Sequence, residues 1–445
     1  MPTLRLFSLL CLCAFAAAQT QVTPERLDQQ AQGYARMGQF NGTVLVAVDG
    51  RTLLSKGYGL ANAEWDIPNT PQTKFRLGSI TKQFTAMAVL LLEQQGKLKI
   101  ADPVCQYVNP CPAAWKPLTL HHLLSHTSGI PNFTSFPDYG KTMMIPSPPA
   151  ETLKRFVDKP LDFEPGSKFS YSNSGYVLLG YIIEKAAGEG YASYITKNIF
   201  APLGIGDTGY DNTSDVLPSR ASGYEKGGAT LANAPYLAMT IPHAAGSLYS
   251  TTLDLMVWDA ALRSGRLLTE ANYKRYFSPA LNNYAYGWNV QQRAGVEVHS
   301  HGGGINGFAT MIFRVPSKKL VVVALSNVTP SKAGDIANDL FWLAMGRSVD
   351  LPKAPEAVKL PVETLKQYVG EYALSPTFIL TVTLEGDSLI TQATGQPKIA
   401  IYPKNETTFS AKEFEAEITF QRDESGKVTG LVLNQGGRKM PATRR

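Results

Sequence analysis

The distribution of apolar residues along the chain predicts strands and helices in alternation. A hairpin is indicated where two apolar, β-branched runs flank Asp49-Gly50, because Asp-Gly is a typical signal of a tight two-strand turn. A buried helix is indicated where the turn at Gly78 leads into helix-forming apolar residues that end before Gly96. The predicted segments are, in chain order, strands 43–48 and 53–58, apolar helix 86–92, helices 118–129 and 175–187, and strands 309–315 and 320–326.

Residues 1–18 have the pattern of a secretory signal peptide. Arg5 precedes a short apolar run, and the small residues up to Ala18 favour cleavage before Gln19. The apolar run is shorter than the roughly 20 residues that a membrane-spanning helix needs. We therefore expect an exported protein, periplasmic or secreted, without a transmembrane anchor.

The composition of the chain changes after residue 350. The 445 residues, 44% hydrophobic, are enough for a large core and more than one domain. Leu351 to Pro355 reads as a linker, and the rest of the chain shows short alternating runs with turns near Gly386 and Gly426. We expect a main domain over residues 19–350, followed by a linker and a small β-barrel or β-meander domain over residues 351–445.

Charge and cysteine content limit the kinds of partner. The net charge of +6 is modest for this length, and the Lys and Arg residues are scattered, so no nucleic-acid partner is indicated. Beyond the predicted signal only Cys105 and Cys111 remain, six residues apart in a Pro-rich segment. In an exported protein this spacing favours a disulfide over a metal site.

The first chemical motif is Ser79-Ile80-Thr81-Lys82. Ser79 is predicted at a helix N-terminus, where unpaired N–H groups and the helix dipole favour negative charge on its oxygen. Lys82 lies one turn later on the same helical face. Taken alone, such a short pattern favours a capping serine followed by a surface lysine, so the catalytic interpretation depends on later motifs.

Two later motifs complete the pattern. Tyr171-Ser172-Asn173 precedes the third predicted helix and is expected in an extended loop, with Tyr171 and Asn173 on one side. His301 is followed by three glycines, which let a backbone pass close to a ligand. No Gly-Lys-Ser/Thr follows these glycines, so they do not form a phosphate-binding loop.

Together the three motifs resemble those of the class C β-lactamase and penicillin-binding serine hydrolase family, which includes D-alanyl-D-alanine carboxypeptidase-like enzymes. The resemblance extends from about residue 19 to residue 349. It implies an α/β fold in which an antiparallel sheet of five or more strands is flanked by helices, beside a helical subdomain. The C-terminal segment resembles the lipocalin-like appendages of some of these hydrolases. Further matching segments are Leu123 to Gly129, Pro165-Gly166, Pro202-Leu203-Gly204, Ala245 to Leu248 with Asp254, and Tyr286-Gly287-Trp288.

The resemblance also implies a role for each motif residue, with no cofactor. Ser79 is the nucleophile that forms an acyl-enzyme, and Lys82 and Tyr171 share the role of base without an assignment between them. The remaining roles are oxyanion-hole N–H groups at Ser79 and Gly304, and substrate binding by Asn173, His301, Gly302 and Gly303. Asn173 is also expected to fix Lys82, and His301 to help protonate the leaving group or polarise Tyr171.

Three nearby histidines raise the question of a metal site. His122 and His126 are four residues apart beside His121, but no His-Glu-x-x-His pattern is present, so we interpret them as hydrogen-bonded structural residues and expect no metal. The irregular segment 131–150 contains five prolines and is expected to contact substrate.

The third motif also predicts the class of substrate. Efficient β-lactamases of this type carry Lys-Thr-Gly, whereas His301 lacks a permanent charge and Gly302 lacks a hydroxyl for a substrate carboxylate. We therefore expect D-alanyl peptides or small esters as substrates, with cell-wall material among the candidates, and a monomeric enzyme. The alternatives are a β-lactamase and a penicillin-binding sensor without turnover.

Overall fold

The computed structural model of this chain describes residues 22–227, 230–353, 358–396, 398–411, 416–435 and 438–445. The predicted signal peptide and the expected new N-terminus, Gln19, lie outside these residues. Among the described residues, no helix is both long and apolar enough to cross a membrane.

A six-stranded antiparallel sheet forms the centre of the main domain. The predicted hairpin is confirmed, and Asp49 and Gly50 both adopt the positive φ that a tight hairpin turn of this kind requires. The strand order is β3-β4-β5-β6-β1-β2. The strands are β1 (Gly42–Val48), β2 (Arg51–Tyr58), β3 (Asn289–Arg293), β4 (Val296–Ile305), β5 (Phe308–Val315) and β6 (Leu320–Ser326).

Helices cover both faces of this sheet. Val44 and Val46 of β1 pack with one core, whereas Leu45 and Ala47 pack with the other, as the two-residue period of a strand requires. The first core is shared with α1 and α5, and the second with α2, α3 and α4. These helices are α1 (Pro24–Arg36), α2 (Thr81–Gln94), α3 (Asn173–Ala187), α4 (Thr252–Ser264) and α5 (Ala333–Ala344).

Short elements connect this framework and build the edges of the cleft. Short α-helices span Leu120–Leu124, Tyr139–Thr142, Pro149–Leu153, Tyr191–Ile195, Ala201–Leu203, His243–Gly246, Glu270–Tyr276 and Val362–Lys366. Tighter or wider helical turns span Gly78–Ile80, Val104–Gln106, Ala113–Trp115, Phe133–Ser135, Thr196–Phe200 and Pro316–Lys318. Short strands outside the main sheet span Leu60–Asn62, Ile67–Pro68, Phe75–Arg76, Gly209–Tyr210, Tyr224–Gly227, Thr230–Asn233, Leu248–Ser250 and Val328–Thr329.

The C-terminal segment forms a closed, eight-stranded barrel, as predicted. Its core combines aliphatic and aromatic side chains, with the rings of Tyr368 and Phe420 stacked at 4.3 Å. The predicted likeness to lipocalins stays a prediction. The strands are β7 (Gly370–Ser375), β8 (Phe378–Glu385), β9 (Ser388–Ala393), β10 (Ile399–Pro403), β11 (Thr408–Ala411), β12 (Ala416–Arg422), β13 (Val428–Gln435) and β14 (Arg438–Arg444).

One motif segment differs from the local structure expected for it, and another forms part of a strand. Asn173 is the first residue of α3 and does not belong to the extended loop that contains Tyr171. The three glycines after His301 lie inside β4 and pair with β5, so they belong to the main sheet. Asn173 and the three glycines are therefore held by regular elements.

Candidate active site

The turn that contains Ser79 packs closely against the glycine-rich part of β4. Gly78 has a positive φ, and a Cβ on it would lie 2.9 Å from the Gly304 nitrogen. On the same side, the Thr310 hydroxyl donates to the Leu77 carbonyl at 2.8 Å. These contacts bring the Gly304 backbone beside the first turn of the helical segment, as an oxyanion site built from the Ser79 and Gly304 N–H groups requires.

Lys82 is fully buried and its ammonium nitrogen faces three oxygen atoms. Nζ lies 3.0 Å from the Ser79 hydroxyl, 2.8 Å from Asn173 Oδ1 and 2.8 Å from the Ala245 carbonyl oxygen. Burial lowers the pKa of Lys82 well below its usual value, because the charged form loses its hydration. No carboxylate is among its hydrogen-bond partners, so the neutral amine is favoured.

The neutral amine has only one direction in which it can accept a proton. A carbonyl oxygen and an amide oxygen are pure acceptors, so Ala245 and Asn173 take the two amine hydrogens. The remaining lone pair then points toward the Ser79 hydroxyl, which is the arrangement that a general base for this serine needs.

Tyr171 lies next to this pair but has a different electrostatic character. Its ring centre is 4.8 Å from Lys82 Nζ. Burial raises the pKa of Tyr171, and its interaction with Ser79 lowers that pKa by a smaller amount. The Tyr171 hydroxyl forms no hydrogen bond of normal geometry with any described residue. At neutral pH Tyr171 is therefore a protonated phenol whose O–H is available as a hydrogen-bond donor.

The hydrogen-bond partners of His301 are Tyr284 and the Gly302 backbone. Nδ1 lies 2.6 Å from the Gly302 carbonyl oxygen, which can only accept, so Nδ1 carries the proton. Nε2 then accepts from the Tyr284 hydroxyl at 2.9 Å, and no hydrogen bond to Tyr171 is present. Burial, with a smaller contribution from the Lys82 charge, lowers the pKa of His301 to about 4. His301 is therefore neutral at pH 7.

The glycines after His301 differ in the space around them. A Cβ on Gly303 would lie 1.9 Å from the Leu77 carbonyl oxygen, so only glycine fits there. At Gly302 the nearest atom would be 3.5 Å away, and at Gly304 no atom lies within 4 Å. The middle glycine thus allows the close approach, whereas a Cβ would make only ordinary contacts at Gly302 and would face open space at Gly304.

The three histidines near residue 122 bind protein groups. His121 Nδ1 pairs with the Tyr286 hydroxyl at 2.7 Å, His122 Nδ1 accepts from the Thr119 N–H at 3.1 Å, and His126 Nδ1 accepts from the Ser172 N–H at 3.2 Å. The His126 ring also packs on Tyr171, with ring centres 4.2 Å apart. Within the described ranges, no group of three or more His, Cys, Asp or Glu residues is arranged to hold a metal ion.

The structure contains the predicted disulfide between Cys105 and Cys111.

Three further contacts of the site involve residues to which the three motifs assign no role. Ala245 lies in a segment noted only as a family match, and Tyr284 lies two residues before another such segment. The third contact is a pair of polar residues, Asn132 and Thr134, from the segment expected to contact substrate.

A mixed sheet-and-helix domain with a serine and a buried lysine at the start of a core helix defines the class of serine hydrolases with a β-lactamase fold. The chain belongs to this family: the model of the family described as Beta-lactamase matches residues 25–345. A second model, described as a domain of unknown function (DUF3471), matches residues 354–443, the region of the barrel.

Individual relatives agree with this assignment. Penicillin-binding protein 4* of Bacillus subtilis (strain 168) is 30% identical over 427 residues, which cover 89% of this chain and 94% of that protein. The structure of the octameric penicillin-binding protein homologue from Pyrococcus abyssi matches with a TM-score of 0.66 and 27% identity, over 94% of this chain and 99% of that one. A D-stereospecific amidohydrolase from Streptomyces sp. matches with a TM-score of 0.62 and 26% identity, over 72% and 99% of the two chains.

Proposed function

We propose that this protein is an exported serine hydrolase that forms an acyl-enzyme at Ser79 and cleaves D-alanyl peptides, related D-amino acid amides or small esters. The observation that carries the proposal is the full burial of Lys82 between two fixed acceptors and the Ser79 hydroxyl. A serine hydroxyl is a weak nucleophile without a base within hydrogen-bond reach, and this arrangement supplies one.

In the acylation step, Ser79 Oγ attacks the carbonyl carbon of the substrate while its proton passes to Lys82 Nζ. The resulting oxyanion lies between the N–H groups of Ser79 and Gly304, which act as preorganised donors. Tyr171 then gives its hydroxyl proton to the departing amine or alkoxide and is reprotonated by the Lys82 ammonium. The raised pKa of Tyr171 suits this role, because the phenol is protonated before the reaction.

Deacylation reverses the order of proton transfers. Lys82, neutral again, accepts a proton from a water molecule that attacks the acyl carbon, and Ser79 Oγ leaves with a proton returned through the same pair. Asn173 accepts from Lys82 at Oδ1 and donates one Nδ2 hydrogen to Thr134, so its amide supports the base and keeps a second N–H for the substrate.

The third motif supports an ester or D-amino amide substrate over a β-lactam. A neutral His301 whose two ring nitrogens are both occupied supplies no cation for a substrate carboxylate. Gly302 has no side chain and therefore offers no hydroxyl to a substrate carboxylate. A D-stereospecific amidohydrolase among the structural neighbours fits the same substrate class.

The test combines active-site labelling with substrate comparison. A fluorescent fluorophosphonate should label wild type and not Ser79→Ala, whereas a binding module without catalysis would show no Ser79-dependent label. We expect kcat/KM to be higher for p-nitrophenyl acetate or a D-Ala-D-Ala peptide than for nitrocefin. Gly302→Thr combined with His301→Lys should raise the relative rate on nitrocefin, and Gly302→Ala, which fills space without adding a hydroxyl, is the matched control. A wild type that cleaves nitrocefin fastest would instead be a β-lactamase.

We further propose that residues 1–18 are removed on export to the periplasm or the medium, and that residues 19–350 and 351–445 form the hydrolase domain and the linker with its barrel. The two family matches, residues 25–345 and 354–443, support this division. The expected monomer contrasts with the octameric relative from Pyrococcus abyssi. Light scattering on the full exported chain distinguishes the two states.

A further inference from the structure

A short segment before the second motif contacts Asn173 at both its backbone and its side chain. The Asn173 N–H donates to Asn132 Oδ1 at 3.0 Å, and Asn173 Nδ2 donates to the Thr134 hydroxyl oxygen at 3.0 Å. Thr134 in turn donates its hydroxyl hydrogen to Asn132 Oδ1 at 3.1 Å. These three groups form a closed set of hydrogen bonds at the first turn of α3.

The direction of every hydrogen bond in this set follows from one backbone group. A backbone N–H can only donate, so the Asn132 atom that faces it must be the oxygen. That oxygen also receives the Thr134 hydroxyl hydrogen, which leaves the Thr134 lone pairs facing the Asn173 side chain. The Asn173 amide must therefore direct Nδ2 to Thr134 and Oδ1 to Lys82.

The orientation of this amide decides what Lys82 can do. With Oδ1 toward Nζ, the amine hydrogens are taken by Asn173 and Ala245 and the lone pair is directed to Ser79. With the amide reversed, Nδ2 would donate to the amine lone pair, and an N–H of Lys82 would face Ser79. The reversed arrangement has no base for the serine.

We propose that Asn132 and Thr134 are positioning residues for acylation, which act by fixing the Asn173 amide so that Lys82 presents its lone pair to Ser79. This inference rests on the proposed function. Neither residue touches Lys82 or Ser79 through a hydrogen bond, so both act through Asn173.

The segment has separate anchors that allow the hydroxyl of Thr134 to be tested alone. The buried Phe133 lies between the two polar residues, and its N–H donates to the Ser174 hydroxyl at 3.0 Å. The Ser174 hydroxyl donates to the Pro131 carbonyl at 2.6 Å. Because these contacts do not involve Thr134, the segment should keep its place when that side chain changes.

The experiment is a double-mutant cycle with Thr134→Val, which keeps the shape and removes the hydroxyl, and Asn173→Ala. Acylation is measured as the labelling rate of Ser79 by a fluorophosphonate, and Thr134→Ser is the control that retains the hydroxyl. We expect Thr134→Val to slow acylation about 10- to 100-fold, which is part of the roughly 100- to 10,000-fold that a correctly oriented general base contributes. Thr134→Ser should remain within about threefold of wild type. In the Asn173→Ala background, Thr134→Val should have almost no further effect.

The pH profile of the Thr134→Val variant gives an independent readout. A reversed amide places an N–H donor against the Lys82 ammonium and disfavours its charged form. The acidic limb of the acylation profile should therefore move to lower pH while the plateau rate falls. A merely structural loss would lower the plateau without moving the limb.

Two results would overturn the inference. The first is that Thr134→Val slows acylation by the same factor with and without the Asn173 side chain. The second is that Thr134→Val lowers the plateau rate without moving the acidic limb of the pH profile. If the Asn173→Ala variant is labelled too slowly to measure, the pH profile alone decides the question. Failure of the proposed function would look different, because wild type itself would then show no Ser79-dependent label.

Discussion

Replacing Gly303 with alanine should disable the site, although alanine has only one more carbon. The new Cβ would lie 1.9 Å from the Leu77 carbonyl oxygen and 2.3 Å from the Thr310 hydroxyl oxygen. Leu77 is two residues before Ser79, and its carbonyl already accepts the Thr310 hydroxyl. To reach a usual C···O contact of about 3.3 Å, β4 and the turn that carries Ser79 must separate by about 1.4 Å.

The size of the expected effect follows from that separation. A displacement of about 1 Å between reacting groups costs on the order of 100-fold in rate, and loss of one oxyanion donor costs about 100- to 1,000-fold. We therefore expect kcat/KM for Gly303→Ala to fall about 100- to 1,000-fold. The overpacking should also lower the free energy of unfolding by about 1–3 kcal/mol, which leaves the protein folded.

The neighbouring glycines provide matched controls in the same strand. Gly302→Ala and Gly304→Ala add the same carbon where the nearest atoms are 3.5 Å away or absent within 4 Å, and neither glycine has a positive φ. Both variants should stay within about threefold of wild-type kcat/KM on p-nitrophenyl acetate. A folded Gly303→Ala protein with near wild-type activity would refute the reasoning, as would equal losses in all three variants.

Other predictions concern the base and the response to pH. Ser79→Ala and Lys82→Ala should each remove nearly all turnover, and the double variant should lose little more, because residues that act as one unit are strongly non-additive; additive losses in kcat/KM would show that the two act independently. His301 has its pKa lowered to about 4 from a usual 6.5, so between these pH values the unfolded chain binds a proton that the folded protein does not. His301 therefore contributes a loss of about 3 kcal/mol in the free energy of unfolding as the pH falls through this window. Urea unfolding of wild type and His301→Gln at pH 7 and pH 4 measures this loss. If the free energy of unfolding fell by the same amount in both proteins between these pH values, the prediction would be wrong.

The elements predicted correctly from sequence are those fixed by neighbouring residues. The β1–β2 hairpin follows from Asp49-Gly50, and the placement of Ser79 before α2 follows from the Gly78 turn and the apolar run behind it. The short strands of the C-terminal domain follow from alternating runs separated by turns at Gly386 and Gly426, both of which have positive φ. That they close into a barrel and do not form an open meander depends on the pairing of β7 with β14. In each case, turn chemistry and side-chain period act over a few residues, so a sequence can display them directly.

The chemistry of the site depended on residues that are far apart in sequence. Ser79 and Lys82 are three residues apart, so their contact is a property of the helical segment itself. The other two partners of Lys82 lie 91 and 163 residues away, and only the packed fold brings Asn173 and Ala245 to it. The orientation of the Asn173 amide is likewise fixed by Asn132 and Thr134, from a segment without a clear periodic pattern.

The sequence by itself determined the family, the order of the motifs, and the contact between Ser79 and Lys82. Only the tertiary structure decided that the pKa of Lys82 falls while that of Tyr171 rises, and that His301 is hydrogen-bonded to Tyr284. Desolvation depends on every group packed around a side chain, and those groups come from all parts of the chain. A local sequence pattern does not show which groups pack around a side chain, so the direction of each pKa shift follows only from the folded structure.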